Sequence, residues 1–219
     1  MYDRTFLVVG LPCFTTNFTT NSPQQLAPSC PILPRVQQKY TFHKSRKPSQ
    51  NRAFRGKTRR NKIMIKILFI CHGNICRSTM AQSIFTYLVK QAGFENDFEI
   101  ESAATSREEI GNPPHYGTAA RLREAGIPLV SHRAVRMTEE DYDYYDYLIG
   151  MDSANIKNMQ RIAGGDPDGK LHKLMEYAGK GAARDVADPW YTGDFEATYR
   201  DVMAGCKGLL ECLKKDNKI

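Results

Sequence analysis

Long apolar runs, closely spaced cysteine pairs and clustered histidines are all missing from this 219-residue sequence. No run of 18 or more apolar residues occurs, so we expect neither a transmembrane helix nor a membrane partner. The six cysteines are too sparse for a small disulfide scaffold, and none has the C-x2-C spacing of zinc sites. The histidines show no ligand spacing either. We therefore predict a protein that uses no metal and no cofactor.

Acidic residues are almost absent from the first 63 positions. This segment contains 12 of the 31 Lys and Arg residues but one of the 24 Asp and Glu residues, so it carries a charge of +11. Residues 64–219 carry −4. The net charge of +7 thus describes a basic arm on a mildly acidic domain, and we expect no nucleic-acid partner for that domain.

Residues 1–63 also lack helical or strand periodicity and are rich in Pro, Gln, Ser, Thr, Asn and Arg, which predicts disorder. A transit peptide, a secretory signal with a short apolar stretch at 6–11, and a nucleic-acid-binding arm are three interpretations. We favour a fourth, a start site assigned too early, because Met64 directly precedes the first predicted strand. The predicted folded domain is 64–219.

The most informative motif lies at residues 71–78, between an apolar run and a helix-like segment. A strand–loop–helix turn directs backbone N–H groups inward at a helix N-terminus, which forms an anion site. Cys71 would lose its proton readily there, and Arg77 offers a planar fork for two phosphate oxygens. The alternative is a buried strand cysteine. The predicted phosphate-binding residues are His72, Gly73, Asn74, Ile75, Cys76 and Ser78.

Strand-like and helix-like segments alternate through the rest of the domain. Such alternation predicts a parallel sheet covered on both faces, with ligands outside the carboxyl ends of the strands. Capping patterns mark helix starts at Thr138, with Asp141 three positions on, and at Asp152. The predicted strands are 65–70, 98–103, 147–151 and 171–175, and the longest predicted helices are 78–91, 112–126, 152–163 and 195–213.

A second motif, at residues 185–193, supplies an acid and two aromatic side chains. Cleavage of a phosphate ester requires a proton for the leaving oxygen, and Asp188 can deliver one from a turn that Pro189 stiffens. Trp190 and Tyr191 can form a wall for an aromatic substrate. The alternative is a surface acid beside core aromatics.

With both motifs in place, residues 64–219 resemble the low-molecular-weight protein tyrosine phosphatases. The resemblance is carried by residues 71–78 and 188–191, with 102–106, 131–134 and 151–152 in the expected order between them. It implies a three-layer, flavodoxin-like α/β fold in which helices cover both faces of a four-stranded parallel sheet. It also implies an enzyme, a metal-free protein-tyrosine-phosphatase that hydrolyses phosphoric monoesters.

The resemblance assigns three residues to catalysis. Cys71 attacks phosphorus as the thiolate and forms a phosphocysteine. Arg77 and the loop N–H groups hold the equatorial oxygens. Asp188 protonates the leaving phenolate and then takes a proton from water.

The resemblance also implies supporting residues around the loop. Ser78 stabilises the thiolate, and Asn74 shapes the loop within a polar network that includes Ser102 and His132. Cys76 is similar to the family's partner for a reversible disulfide with the nucleophile.

One position departs from the family pattern at the predicted pocket mouth. Many relatives carry an aromatic residue where Glu108 stands, and Glu109 follows it. The predicted pocket wall is therefore Glu108, Trp190 and Tyr191, and we expect the two acids to repel acidic phosphopeptides.

Three rival functions share this fold or loop. A protein arginine phosphatase typically has Thr before the second loop cysteine, whereas Ile75 suits an aromatic ester better. An arsenate reductase needs relay cysteines, yet none lies between Cys76 and Cys206. A non-catalytic phosphate-binding module would be expected to lose Cys71 or Asp188.

The expected partners are phosphotyrosine-bearing proteins or small aryl phosphates. Because Cys71 must stay reduced to act, we expect a cytoplasmic location. The resemblance is compatible with a monomer or a weak dimer.

Overall fold

The computed structural model describes residues 64–179, 184–216 and 218–219. The predicted disorder of residues 1–63 falls outside the described residues, and the interpretation of Met64 as the true start stays a prediction. Within the described ranges, no helix is both long and apolar enough to cross a membrane.

Strands and helices alternate along the described part of the chain, as the sequence predicts. The strands are β1 (Ile65–Cys71), β2 (Phe98–Ala104), β3 (Tyr147–Gly150) and β4 (Leu171–Lys173). The helices are α1 (Arg77–Gln91), α2 (Tyr116–Glu124), α3 (Glu139–Tyr144), α4 (Ser153–Ala163), α5 (Pro189–Thr192) and α6 (Phe195–Lys215), with a 3-10 turn at Leu174–Tyr177.

The four strands form one parallel sheet in the order β2-β1-β3-β4. In the central strand β1, Cys71 is level with Ala104 of β2, and Ile70 is level with Gly150 of β3. The carboxyl ends of three strands thus meet at one edge, where the chain leaves β1 for the 71–78 loop. This sheet confirms the predicted α/β fold class.

The two faces of β1 enter separate hydrophobic clusters. Ile67 and Phe69 pack in the larger cluster with side chains of α1 and α6, whereas Leu68 and Ile70 pack with Met159 of α4 and its neighbours. Burial on both faces explains why β1 is a continuous apolar run rather than an alternating one.

Two predicted boundaries were wrong. Helix α2 begins at Tyr116 rather than at Asn112, because a residue before proline disfavours helical backbone and two prolines follow Asn112. Strand β4 ends at Lys173, and the next residues turn into the 3-10 segment. That turn lies against α6 so closely that a Cβ on Gly205 would come within 2.5 Å of Leu174.

Candidate active site

The loop between β1 and α1 is shaped by one residue in the left-handed region. Asn74 has a φ of 58°, a conformation that asparagine tolerates better than most residues. Its backbone N–H points toward the Cys71 sulfur, at 3.3 Å. The loop thus folds back over the sulfur before α1 begins at Arg77.

The Asn74 side chain is fully buried and uses both ends of its amide. Its Nδ2 group donates to Ser78 Oγ and to Ser102 Oγ, at 2.9 Å each. Its Oδ1 atom lies 2.6 Å from His132 Nε2 and accepts from the Val135 N–H at 3.0 Å. Because Oδ1 is an acceptor, His132 must donate through Nε2. Asn74 therefore joins the loop to β2 and to the segment that contains His132.

The same network fixes the direction of the Ser78 hydroxyl. Its oxygen already accepts from Asn74, so its proton is available for the Cys71 sulfur, which lies 3.1 Å away. The Ser102 hydroxyl is directed in the same manner and donates to Gln82 Oε1 at 2.7 Å. Cys71 Sγ therefore faces two hydrogen-bond donors, the Ser78 hydroxyl and the Asn74 N–H.

Arg77 is held between two carboxylates. Its Nη1 donates to Asp152 Oδ2 and its Nη2 contacts Asp188 Oδ2, both at 2.6 Å. The guanidinium is almost fully buried, so its orientation is set by these pairs. The structure thus brings Arg77 together with Asp188, a residue 111 positions away in the sequence.

Each carboxylate that binds Arg77 also caps a helix. Asp152 Oδ1 accepts from the Asn155 N–H at 2.6 Å and so caps α4. Asp188 Oδ1 accepts from the Trp190 N–H at 3.1 Å and caps the short helix α5. One oxygen of each acid is therefore fixed to backbone while the other faces Arg77.

Burial and charge shift three pKa values around the loop. Burial lowers the pKa of Arg77, but the neighbouring Cys71, Asp188 and Asp152 outweigh it, so the net shift is upward. Burial, with smaller contributions from Cys71 and Asp188, raises the pKa of Cys76 to about 12. Burial lowers the pKa of His132. Cys76 is thus a thiol and His132 a neutral imidazole at neutral pH.

A pocket of about 90 Å³ opens above Cys71 and Arg77. Trp190 and Tyr191 line it and are 60% and 85% exposed, so their rings face solvent. Glu108 also lines it and lies 3.1 Å from His72 Nε2. The remaining lining residues are His72, Gly73, Ile75, Cys76, Glu109 and Asp188.

Four predicted site residues lie beneath the loop instead of lining the pocket. Asn74 and Ser78 are fully buried, and their side chains contact the sulfur, Ser102 and His132. The Asn74 amide is occupied by its buried partners, and the Ser78 hydroxyl faces the sulfur.

Sequence reasoning missed the pairing of Asp152 with Arg77 and the role of His115. Asp152 was assigned as a helix cap and as part of the family resemblance but not as a partner of Arg77, although its place directly after β3 puts it at the ligand-binding edge of the sheet. No sequence pattern pointed to His115 as a site residue. Its backbone N–H donates to the Ile75 carbonyl at 2.8 Å, and its ring stacks on Phe195 with centroids 5.1 Å apart. Its ring also meets the edge of Trp190, so His115 connects the two motifs.

No group of three potential metal ligands occurs in the part of the chain that the structure describes. The site is a cysteine and an arginine at a helix N-terminus, with an aspartate that pairs with the arginine and lines the same pocket. This arrangement defines a cysteine-centred site for an anion of phosphate type.

Comparison with known proteins places the chain in a family. The sequence model named "Low molecular weight phosphotyrosine protein phosphatase" matches residues 66–219. The chain belongs to this family. The low molecular weight protein-tyrosine-phosphatase YfkJ of Bacillus subtilis is 39% identical over 156 residues, which cover 71% of this chain and all of that protein.

Solved structures agree with the sequence comparison. The crystal structure of YfkJ superposes with a TM-score of 0.68 and covers 74% of this chain and 99% of its own. The low molecular weight protein tyrosine phosphatase SP-PTP of Streptococcus pyogenes, 39% identical, gives a TM-score of 0.61 and covers 68% and 93%. DARP, a drosophila arginine phosphatase, is 27% identical with a TM-score of 0.64 and covers 69% and 99%.

Proposed function

We propose that this protein is a protein tyrosine phosphatase that hydrolyses phosphotyrosine monoesters through a phosphocysteine. The observation that carries the proposal is the placement of the Cys71 sulfur beside Arg77, which is itself paired with Asp188. Nucleophile, anion binder and acid therefore meet in one pocket.

In the first step, the Cys71 thiolate attacks phosphorus and the bond to the phenolic oxygen breaks. The Ser78 hydroxyl and the Asn74 N–H stabilise the thiolate before attack. Arg77 and the inward N–H groups of the loop bind the non-bridging oxygens, whose charge changes in the transition state. The product is phosphocysteine at Cys71.

Asp188 moves the proton in both steps. As an acid it protonates the leaving phenolate, because the departing oxygen otherwise carries a full negative charge. As a base it then accepts a proton from the water that attacks phosphocysteine. As water attacks, the bond between phosphorus and the Cys71 sulfur breaks, so inorganic phosphate leaves and Cys71 returns as the thiolate, while the proton taken from water restores the Asp188 acid.

The walls of the pocket support an aromatic substrate. Ile75 is apolar and lines the pocket, and the exposed rings of Trp190 and Tyr191 can receive a phenyl group. Phosphotyrosine-bearing proteins and small aryl phosphates are therefore the proposed substrates. Arginine phosphatase activity is the second candidate, because the drosophila arginine phosphatase has the same fold.

The catalytic unit is proposed to be residues 64–219, which contain every residue of the site. We propose that it works in the cytoplasm, because a reactive Cys71 needs reducing conditions, and as a monomer or a weak dimer.

The first test is hydrolysis of matched phosphotyrosine and phosphoarginine peptides by the full chain in the presence of a chelator. We expect turnover of phosphotyrosine, none after Cys71→Ser, and retained turnover after Cys206→Ser, which removes a buried cysteine of α6. Phosphate trapped on Cys71 after an acid quench would support the covalent step. Preference for phosphoarginine would establish the second candidate. A folded chain that cleaves neither peptide would refute both.

A further inference from the structure

A second concave surface lies on the far side of the loop that follows β2. The residues of this loop are divided between the two surfaces. Glu108 and Glu109 line the catalytic pocket, whereas Arg107 and Ile110 on either side of them line a separate groove. The loop is therefore a shared wall. The groove, with a volume of about 520 Å³, is lined by Arg107, Ile110, Val135, Arg136, Met137 and Thr138.

The groove has an apolar centre that is open to solvent. Ile110 is 48% and Val135 is 50% exposed, values that are unusual for large apolar side chains in this domain. Met137 beneath them is fully buried and continues into the core. Exposed apolar side chains grouped around a groove are typical of surfaces that bind another molecule.

The charged residues that line the groove are two arginines. Neither Arg107 nor Arg136 makes an ion pair with any residue in the described ranges. Of the neighbouring acids, Glu108 contacts His72 and Glu109 accepts from Asn112 Nδ2 at 2.6 Å, whereas Glu139 and Glu140 begin helix α3 directly after the lining residue Thr138. The surface thus combines two free guanidinium groups with apolar contact area, which matches a segment that carries acidic and apolar side chains.

The groove is joined directly to the catalytic loop. Val135 accepts from the Ala104 N–H at 2.7 Å and donates to Asn74 Oδ1 at 3.0 Å, and the Met137 N–H donates to the Ala104 carbonyl at 2.9 Å. These bonds continue the edge of the sheet beyond β2. A chain lying in the groove is therefore held in a fixed relation to the Cys71 pocket.

We propose that this groove docks an acidic and apolar segment of the phosphorylated protein whose phosphotyrosine occupies the catalytic pocket. The inference rests on the proposed function. Residues 1–63 of the same chain are a poor occupant because their charge of +11 would be repelled by the two arginines. Glu108 and Glu109 line the catalytic pocket, so we expect substrate residues next to the phosphotyrosine to be neutral or basic.

Docking outside the pocket adds binding energy that a small aryl phosphate cannot use. Groove variants should therefore lower kcat/KM for a suitable peptide while leaving para-nitrophenyl phosphate turnover unchanged. Because the contacts are solvent-exposed ion pairs, we expect about a threefold loss for Arg107→Ala or Arg136→Ala and about tenfold for the double variant. The loss should shrink at high salt.

The test uses the full chain and a set of peptides in which a Glu-Leu pair occupies successive positions on either side of the phosphotyrosine. We expect the pair to raise kcat/KM at one range of positions. The variant with both Arg107→Ala and Arg136→Ala should lose this increase in kcat/KM. Arg123→Ala, an exposed arginine on α2, is the matched control and should keep it.

The outcomes separate the two proposals. If para-nitrophenyl phosphate and all peptides remain intact, the proposed function fails. If all are cleaved but no position of the pair matters, or if the arginine variants retain the gain, the docking proposal fails alone. A change of sedimentation in the Ile110→Ser variant without a change in peptide kinetics would assign the groove to contact between two copies of the chain, and would also overturn it.

Discussion

The guanidinium of Arg77 lies 2.6 Å from the carboxylate of Asp188. The proposed phosphate binder and the proposed acid therefore hold each other in place. A bound phosphate would compete for Arg77, so its arrival would free Asp188 to face the leaving oxygen. Asp152, on the other side of the guanidinium, keeps Arg77 oriented when Asp188 moves.

Removal of the Asp188 carboxyl should slow catalysis without preventing phosphate binding. For Asp188→Ala we expect kcat for phosphotyrosine peptides to fall by about 10²- to 10³-fold, because a general acid contributes that much. The loss should be smaller for aryl phosphates with better leaving groups, which need less protonation. Steady-state kinetics across a leaving-group series measures this, and an equal loss for every leaving group would contradict the acid role.

Asp152→Asn separates the two tasks of this carboxylate. Asparagine can still cap α4, so the free energy of unfolding should change by less than about 1 kcal/mol. The charge that orients Arg77 is lost, so kcat/KM should fall about tenfold or more. Denaturant titration and kinetics on the same sample test this. Unchanged kcat/KM would show that Asp188 and the loop suffice to hold Arg77.

The backbone and side chain of Asn74 make separate contributions. Asn74→Ala should lower the free energy of unfolding by about 3 kcal/mol, because it adds left-handed strain and leaves Ser78, Ser102 and His132 without their central partner. Asn74→Gly relieves the strain but not the lost hydrogen bonds. The stability of Asn74→Gly should lie between that of the wild type and that of Asn74→Ala. The rate of Cys71 alkylation should be lowered equally in the two variants. Equal stability of the two variants would contradict a strained φ.

Stability should decrease with acid because of His132. Burial lowers the pKa of this imidazole, so the unfolded chain binds its proton at a higher pH than the folded one. The free energy of unfolding should therefore fall as pH drops below about 6.5, the ordinary histidine value. The slope should be shallower in His132→Gln. Chemical denaturation at several pH values between about 7.5 and about 5.5 compares the two, and identical slopes would exclude His132 as the source.

The local motifs could be predicted because they depend on short stretches of chain. The apolar run of β1 predicts a strand buried on both faces, and the glycine and asparagine after Cys71 predict a tight loop before a helix. The capping box of α3 at Thr138 and the cap of α4 at Asp152 could be predicted in the same way. Spacing and residue type alone contain this information.

What the sequence determined by itself is the α/β class and the loop that brings a cysteine and an arginine to a helix N-terminus. Only the tertiary structure decided that Asp152 and Asp188 share Arg77, that His115 joins the two motifs, and that Arg107 faces a groove while Glu108 faces the pocket. Such relations depend on which strand ends meet at one edge of the sheet and on the direction in which each side chain of a loop points. Neither is encoded in the spacing of residues along a single segment.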